Sequence, residues 1–477
     1  MNVIVVMFDS LRRDYCGAYG HVSLEGGLQD RAISTPALDA FARRSTVFDR
    51  AYVNSHPTGP FRRDVWTGVI EFPHRGWGPI LPQDVTYARL MGEQGIVSML
   101  IGDTYPLMDA TYTIQRSYTV APPGNSGNYQ SWFTGWHLVR GHQSDRWWPS
   151  QREVTLPCAA EKIRGGAHRM ELYFQENAGR RFERDWSTAQ VFQRAADWLE
   201  ENYRRAEGFC LWVDSFTPHE PFDPPPWYVE MYDPGYQGDE VIFPQYGSTE
   251  YLTGAELNHV KALYAGNVSL ADRWFGHMMD TVGNLGLLDN TVIVVVSDHG
   301  HLFGDHGMIG KPGLQAGPDG LLWDGIADIP LMIYAPQTEP GRRTDALVQA
   351  VDLFPTLLEA AGVKAPPGID GHSLLPLVRG RADGVREWGI YGRYGDTVNV
   401  TDGRYTLFLH HPERHPGSSR LFDLQDDPRQ AKNILGSHIE LAREMQAFAL
   451  RVLEKRGAGE LSIETARRGL ELRQGVM

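Results

Sequence analysis

The chain is poor in cysteine, in lysine and in long apolar runs. Its three cysteines, Cys16, Cys158 and Cys210, are scattered through 477 residues. An odd number at such wide spacing excludes a disulfide framework, and the lack of a CxxC pair excludes a zinc ribbon. A reducing, cytoplasmic setting is therefore expected. No stretch of about 18 apolar residues occurs, so no membrane-spanning helix is expected. The first residues run straight into Val3-Ile4-Val5-Val6-Met7-Phe8, without the basic segment, apolar stretch and small-residue cleavage site of a secretory signal. Positive charge is short as well. Lys and Arg number 45 against 59 Asp and Glu, a formal net charge of −14. That excess of acid argues against nucleic acid or an anionic membrane as the partner. Only six of the basic residues are lysine, so each lysine carries more information than usual. There is no internal repeat and no low-complexity tract.

What is present is ordinary for a globular protein: 42% hydrophobic and 22% charged residues. Short apolar runs alternate with helical patterns. Strands are expected at Val3–Phe8, Ser98–Ile101, Gly208–Val213, Thr291–Val296 and Pro330–Tyr334, near-continuously apolar as parallel strands buried on both faces must be. Helices are expected at Pro36–Ser45, Ser187–Arg204, Gly254–Val282 and Ala350–Ala361. This alternation predicts an α/β fold with a mostly parallel sheet flanked by helices. Residues 1–385 form the expected catalytic α/β domain. Within it, 105–186 is an aromatic- and Arg-rich excursion with weak periodicity. Residues 386–477 read as a smaller α+β subdomain with strands Gly389–Tyr394 and Tyr405–His410, a helix Ile439–Lys455, and a terminal helix or arm from Leu461.

Two strand ends carry chemistry. Asp9 follows the first strand, and Asp298-His299 follow Val294-Val295-Val296-Ser297. In an open parallel sheet, ligands sit beyond the carboxyl ends of the strands. Asp9 alone could be a helix cap. Two strands ending alike point instead to one divalent cation with mixed O/N ligands: Mn²⁺, Zn²⁺, Mg²⁺ or Ca²⁺. A second constellation is His56-Pro57-Thr58-Gly59-Pro60-Phe61-Arg62. Prolines stiffen the chain around Thr58, and Arg62, four residues on, can turn back toward it. A hydroxyl fixed beside a metal and an Arg is a nucleophile for a tetrahedral anion, although alone it would read as a capped turn.

With these residues in view, the chain resembles the sulfatase family of the alkaline phosphatase superfamily. The resemblance rests on Asp9, on Thr58-x-Pro60-x-Arg62 with Thr67-Gly68, and on Asp298-His299-Gly300 with Gly304-Asp305-His306-Gly307 and Lys311. Thr35-Pro36-Ala37-Leu38-Asp39, Pro218-His219-Glu220-Pro221-Phe222, Val351-Asp352-Leu353-Phe354-Pro355, Asp370-Gly371-His372 and Leu421-Phe422-Asp423-Leu424 continue it in order along nearly the whole chain. It implies an alkaline-phosphatase-like core and a metal-dependent hydrolase of sulfuric or phosphoric esters. Asp9, Asp298, His299 and Thr58 would surround the metal. Thr58 would attack, Arg62 and Lys311 would stabilise the substrate oxygens, and His219 would protonate the leaving oxygen. The substrate would be a small anionic ester, with a homo-oligomer left open.

The sequence also departs from the family. Thr58 stands where sulfatases carry the Cys or Ser that becomes formylglycine, and threonine oxidised in that way gives only a ketone. Ser10 replaces a second acid, Asp103 stands where a Lys is usual, and His299 stands where many members have Asn. The Asp–Asp–His set resembles more the phosphonate monoester hydrolase branch and superfamily phosphatases, and a Thr nucleophile resembles phosphodiesterase relatives. A catalytically silent anion binder is the rival from another class. In the excursion, Trp132, Trp136, His137, Arg140, His142, Arg146, Trp147 and Trp148 are expected to form a substrate-selecting wall or an oligomer contact.

Overall fold

The computed structural model describes the chain apart from residues 21–31, 109–128, 144, 146–147, 149–151, 206, 314–320 and 472–477. A mixed sheet lies at its centre. In chain order its strands are β1 (Asn2–Phe8), β2 (Thr46–Tyr52), β3 (Val97–Gly102), β4 (Gly135–Leu138), β5 (Phe209–Ser215), β6 (Thr291–Ser297), β7 (Leu331–Tyr334) and β8 (Arg343–Gln349). Side by side they run β8-β2-β7-β6-β1-β5-β3-β4.

β1 occupies the middle, parallel to β5 on one side and β6 on the other. Its side chains alternate between the two faces, as a strand requires. Val3, Val5 and Met7 join one apolar layer with Phe61, Val65 and Leu353. Ile4, Val6 and Phe8 join the other with Val191, Phe192, Leu263 and Phe275. These contacts come from α1 (Thr58–Thr67) and α4 (Leu353–Ala361) on the first face, and from α2 (Ser187–Asn202) and α3 (Gly254–Asn284) on the second. Burying each large aliphatic side chain contributes roughly 1.5–3 kcal/mol. The central strands therefore stay apolar until they emerge at the carboxyl edge, where the acids begin.

Three parts of the sheet differ from expectation. β7 was expected to be parallel, but it is antiparallel to both β2 and β6. A continuously apolar run reports burial on both faces and carries no mark of direction. β4 lies inside the excursion and pairs with β3, so that segment supplies one edge of the sheet. β2 and β8 escaped the apolar pattern because they carry charges. Asp49 in β2 forms an ion pair with Arg343 in β8.

A second, antiparallel sheet follows: β9 (Gly389–Arg393), β10 (Thr397–Thr401), β11 (Tyr405–His410) and β12 (Arg420–Asp423), in that spatial order. Helix α5 (Ile439–Lys455) covers it through Ala442, Met445, Ala449 and Leu453. β9 is bonded to the segment that leads into α1. Gly392 N donates to Asn54 O at 2.8 Å, and His56 N donates to Gly392 O at 3.1 Å. The terminal stretch forms a helix at Glu460–Arg468. Cys16, Cys158 and Cys210 are buried and unpaired. Among the described residues, no helix is long and apolar enough to cross a membrane.

Candidate active site

Strand register brings the acids together. Phe8 pairs with Ser297 on one side and Ser215 on the other, so Asp9 and Asp298 leave the sheet as neighbours. Asp214 sits one residue before the end of β5, beside Gly102 of β3. Asp103 follows β3. Four adjacent strands thus deliver four aspartates to one edge, where open α/β sheets place their ligands.

One oxygen from each of Asp9 and Asp298 and one nitrogen of His299 lie within 4.8 Å of one another, all fully buried. Burial and the charge of Asp298 push the Asp9 carboxyl well up. Burial acts on Asp298 in the same sense, but the charges of His299 and Arg62 outweigh it and hold it below its ordinary value. His299 is lowered to about 4 by burial, so its imidazole is neutral. Its Nδ1–H donates to Gly300 O at 2.9 Å, which leaves Nε2 with a lone pair. Two carboxylates that repel each other and one neutral imidazole fit a divalent cation, which would relieve that repulsion. Ser10 locks the set. Its backbone N–H donates to Asp298 Oδ1 at 2.9 Å and its hydroxyl donates to Asp9 Oδ1 at 2.8 Å. To do both it takes a left-handed backbone, φ 65°, a conformation that costs a non-glycine residue energy and is found where function requires it.

Thr58 opens α1, and its Oγ1 lies 3.3 Å from His299 Nε2. The next residue is Gly59, where a Cβ would stand tightly, 3.0 Å from the Tyr129 hydroxyl. Arg62 lies one turn along and is fully buried. Nε and Nη2 donate to Asp214, Nη1 to Thr58 O and Asp298, and Nη2 also to Asp9. A guanidinium has five N–H donors, and here all five are engaged within the protein. In this arrangement Arg62 braces the carboxylates and the first turn of α1. Asp214 is equally saturated, accepting also from Thr104 Oγ1 at 2.6 Å and Trp212 Nε1 at 2.9 Å. It has no lone pair to offer a second metal.

Glu220 forms the other wall. It accepts from Arg164 and Tyr246, and its Oε2 lies 3.6 Å from both Lys311 Nζ and His301 Nε2. Lys311 Nζ donates to Ser10 Oγ at 2.9 Å, and burial lowers its pKa. His219 Nδ1–H donates to Glu220 O at 2.7 Å, and its ring stacks on Phe216. Burial holds His219 well below its usual value, so in the free protein its imidazole is neutral and Nε2 is a proton acceptor. Sequence reasoning passed over Glu220, His301, Arg164, Tyr246 and His56. Glu220 and His56 lay inside motifs already singled out. Nothing in the local sequence marks Arg164 or Tyr246.

Over residues 1–363 the chain matches the sulfatase family model. The chain belongs to the sulfatase family. Residues 320–455 match a second model, described as N-sulphoglucosamine sulphohydrolase, C-terminal. Similar proteins include an arylsulfatase of Clostridium perfringens, 24% identical over 96% of this chain and 95% of that protein. Another is the multifunctional alkaline phosphatase superfamily protein PehA of Trinickia caryophylli, 24% identical over 94% of each. Among solved structures, a phosphonate monoester hydrolase of Agrobacterium radiobacter superposes with a TM-score of 0.70 at 21% identity, over 96% of this chain and 95% of that one. This sulfatase-family chain has the expected alkaline-phosphatase-like fold and is a hydrolase of sulfuric or phosphoric esters.

Among the described residues, the excursion of this sulfatase-family protein meets the site through Tyr129, His142 and Arg164. His142 is buried against Phe216, which in turn stacks on His219. Trp136 and Trp148 are exposed, Trp132 packs on the core, and Arg140 pairs with Asp145. Arg146 and Trp147 lie outside the described residues.

Proposed function

We propose that Thr58 Oγ1 is the nucleophile in hydrolysis of a small anionic ester on one divalent cation held by Asp9, Asp298 and His299. The carrying observation is the 3.3 Å between Thr58 Oγ1 and His299 Nε2, beside the paired carboxylates. A divalent cation at such a donor set supplies Lewis acidity, polarising an ester oxygen and acidifying a hydroxyl. Arg62 holds Thr58 and both carboxylates in place through its five bonds. Lys311 faces the non-bridging oxygens as a point charge. In the first step the Thr58 oxygen bonds to sulfur or phosphorus, and the bond from that atom to the leaving oxygen breaks. The proton lost by Thr58 is the one gained by the leaving alcohol, with His219 Nε2 as its carrier. In the second step water adds to the same atom and gives a proton to His219, the bond from that atom to the Thr58 oxygen breaks, and the proton passes from His219 to that oxygen to restore the hydroxyl.

Relatives named for aryl sulfates and for phosphonate monoesters support a tetrahedral centre of either kind. The buried, unpaired cysteines support a reducing compartment.

The test is a panel of aryl sulfate, phosphate monoester, phosphodiester and phosphonate substrates with added Mn²⁺, Zn²⁺, Mg²⁺ or Ca²⁺. Turnover is expected with at least one pair, and Thr58→Ala should abolish it while retaining the metal. An unchanged rate in Thr58→Ala would make water the attacking group. No turnover by the parent on any pair, and no metal in the purified protein, would favour a silent anion binder.

A further inference from the structure

We infer that His56 donates a hydrogen bond to a non-bridging oxygen of the transferred sulfuryl or phosphoryl group, an inference that rests on the Thr58 reading above. His56 is 1% exposed, and neither ring nitrogen has a hydrogen-bond partner among the described residues. A buried polar atom left without a partner costs about 1–3 kcal/mol, and such atoms are few in folded proteins. This one is not misplaced by a loose loop. The His56 backbone N–H donates to Gly392 O at 3.1 Å, anchoring the residue to β9 two positions ahead of Thr58. The ring stands beside His299, centroids 4.9 Å apart.

Another orphan imidazole nearby has an explanation that His56 lacks. His301 Nε2 looks toward Glu220 Oε2, 3.6 Å away. Among the described residues His56 has no such carboxylate partner. An imidazole always presents at least one N–H donor.

The site has need of that donor. A tetrahedral anion brings several non-bridging oxygens, and donors aimed at them are the usual means of stabilising the transition state. All five N–H groups of Arg62 are engaged within the protein, and Lys311 Nζ is shared with Ser10 and Glu220. The donor that Arg62 cannot supply is present at His56.

Inorganic sulfate and orthovanadate, titrated calorimetrically into protein loaded with each of the four cations, read this contact directly. His56→Phe keeps the ring volume without a donor, and His56→Gln restores an N–H. The expected result for His56→Phe is unchanged metal content, an unchanged or raised melting midpoint, oxyanion affinity lowered on the order of 10-fold, and a matching fall in kcat/KM. His56→Gln should recover most of both. Equal oxyanion affinity and kcat/KM in His56→Phe and parent would overturn the inference. Loss of the cation from His56→Phe would also overturn it, making His56 a metal ligand. Should His56→Phe fail to fold, His56→Gln against His56→Leu decides by the same readouts. Failure of the Thr58 reading appears separately, in Thr58→Ala or in a parent without turnover, and the oxyanion titration still reports on His56.

Discussion

Arg62 meets Asp214 as a two-pronged fork, Nε to Oδ2 at 2.8 Å and Nη2 to Oδ1 at 2.7 Å, with both side chains buried. Asp214 supplies the counter-charge that allows a guanidinium to sit beneath Asp9 and Asp298 without water. Asp214→Asn breaks the fork, although Asp9 and Asp298 still face the guanidinium, and it should lose about 1–3 kcal/mol of stability in denaturant titrations through the buried hydrogen bonds it unmakes. Arg62→Lys keeps the charge but not the planar fork. It should weaken metal affinity about 10–100-fold, as loss of a group that orients ligands does, measured by competition with a chelating dye.

Ser10 links Lys311 to Asp9 through one hydroxyl. Ser10→Ala removes that bridge but keeps the backbone N–H on Asp298. A fall in kcat/KM on the order of 10-fold is expected, with the metal retained at saturating concentration. Parent-like kinetics would show the hydroxyl to be dispensable.

Asp103 gives a pH dependence to stability. Burial raises its pKa from 3.8 to about 7. Oδ1 accepts from Phe216 N at 2.6 Å, and Oδ2 has no hydrogen-bond partner among the described residues. Between these two values the folded protein binds a proton that the unfolded chain has released, so stability falls as pH rises. The contribution is whole below the unfolded value and lost through about pH 7. Asp103→Asn stays neutral and keeps a carbonyl for Phe216. It should be more stable than the parent at pH 8, on the order of 4 kcal/mol, with a flatter profile from pH 4 to 7. Parallel pH–stability curves would refute this.

Metal removal should destabilise as well as inactivate. The Asp9 and Asp298 oxygens face each other within 4.8 Å, and a cation between them binds the folded state alone. At a free concentration 100 times its Kd, such an ion adds about 2.7 kcal/mol. Chelation should lower the melting midpoint of the parent, and restoring the metal should return it. Asp298→Ala should show no response to either.

Much of the site was legible because its residues close apolar strands. Asp9 and Asp298-His299 stand out where a buried strand becomes polar. Thr58 and Arg62 are marked by proline and by helical spacing. The bonding of Arg62 was not legible, because its partner Asp214 is 152 positions away and its engagement is a matter of three-dimensional bond counting. The strands β2 and β8 were hidden because their charges pair with each other across the sheet. The direction of β7 was hidden because an apolar run reads the same either way.

From composition and pattern alone came the α/β class and the identity of the groups that could hold a cation. Hydrophobic periodicity and residue chemistry are local properties, and they survive in a one-dimensional string. Which carboxylate stands free and which is saturated, whether a histidine gives or takes a proton, and that His56 is buried without a partner were decided only by tertiary structure. Hydrogen-bond satisfaction and desolvation depend on atoms brought together from distant segments, and a sequence does not state those distances.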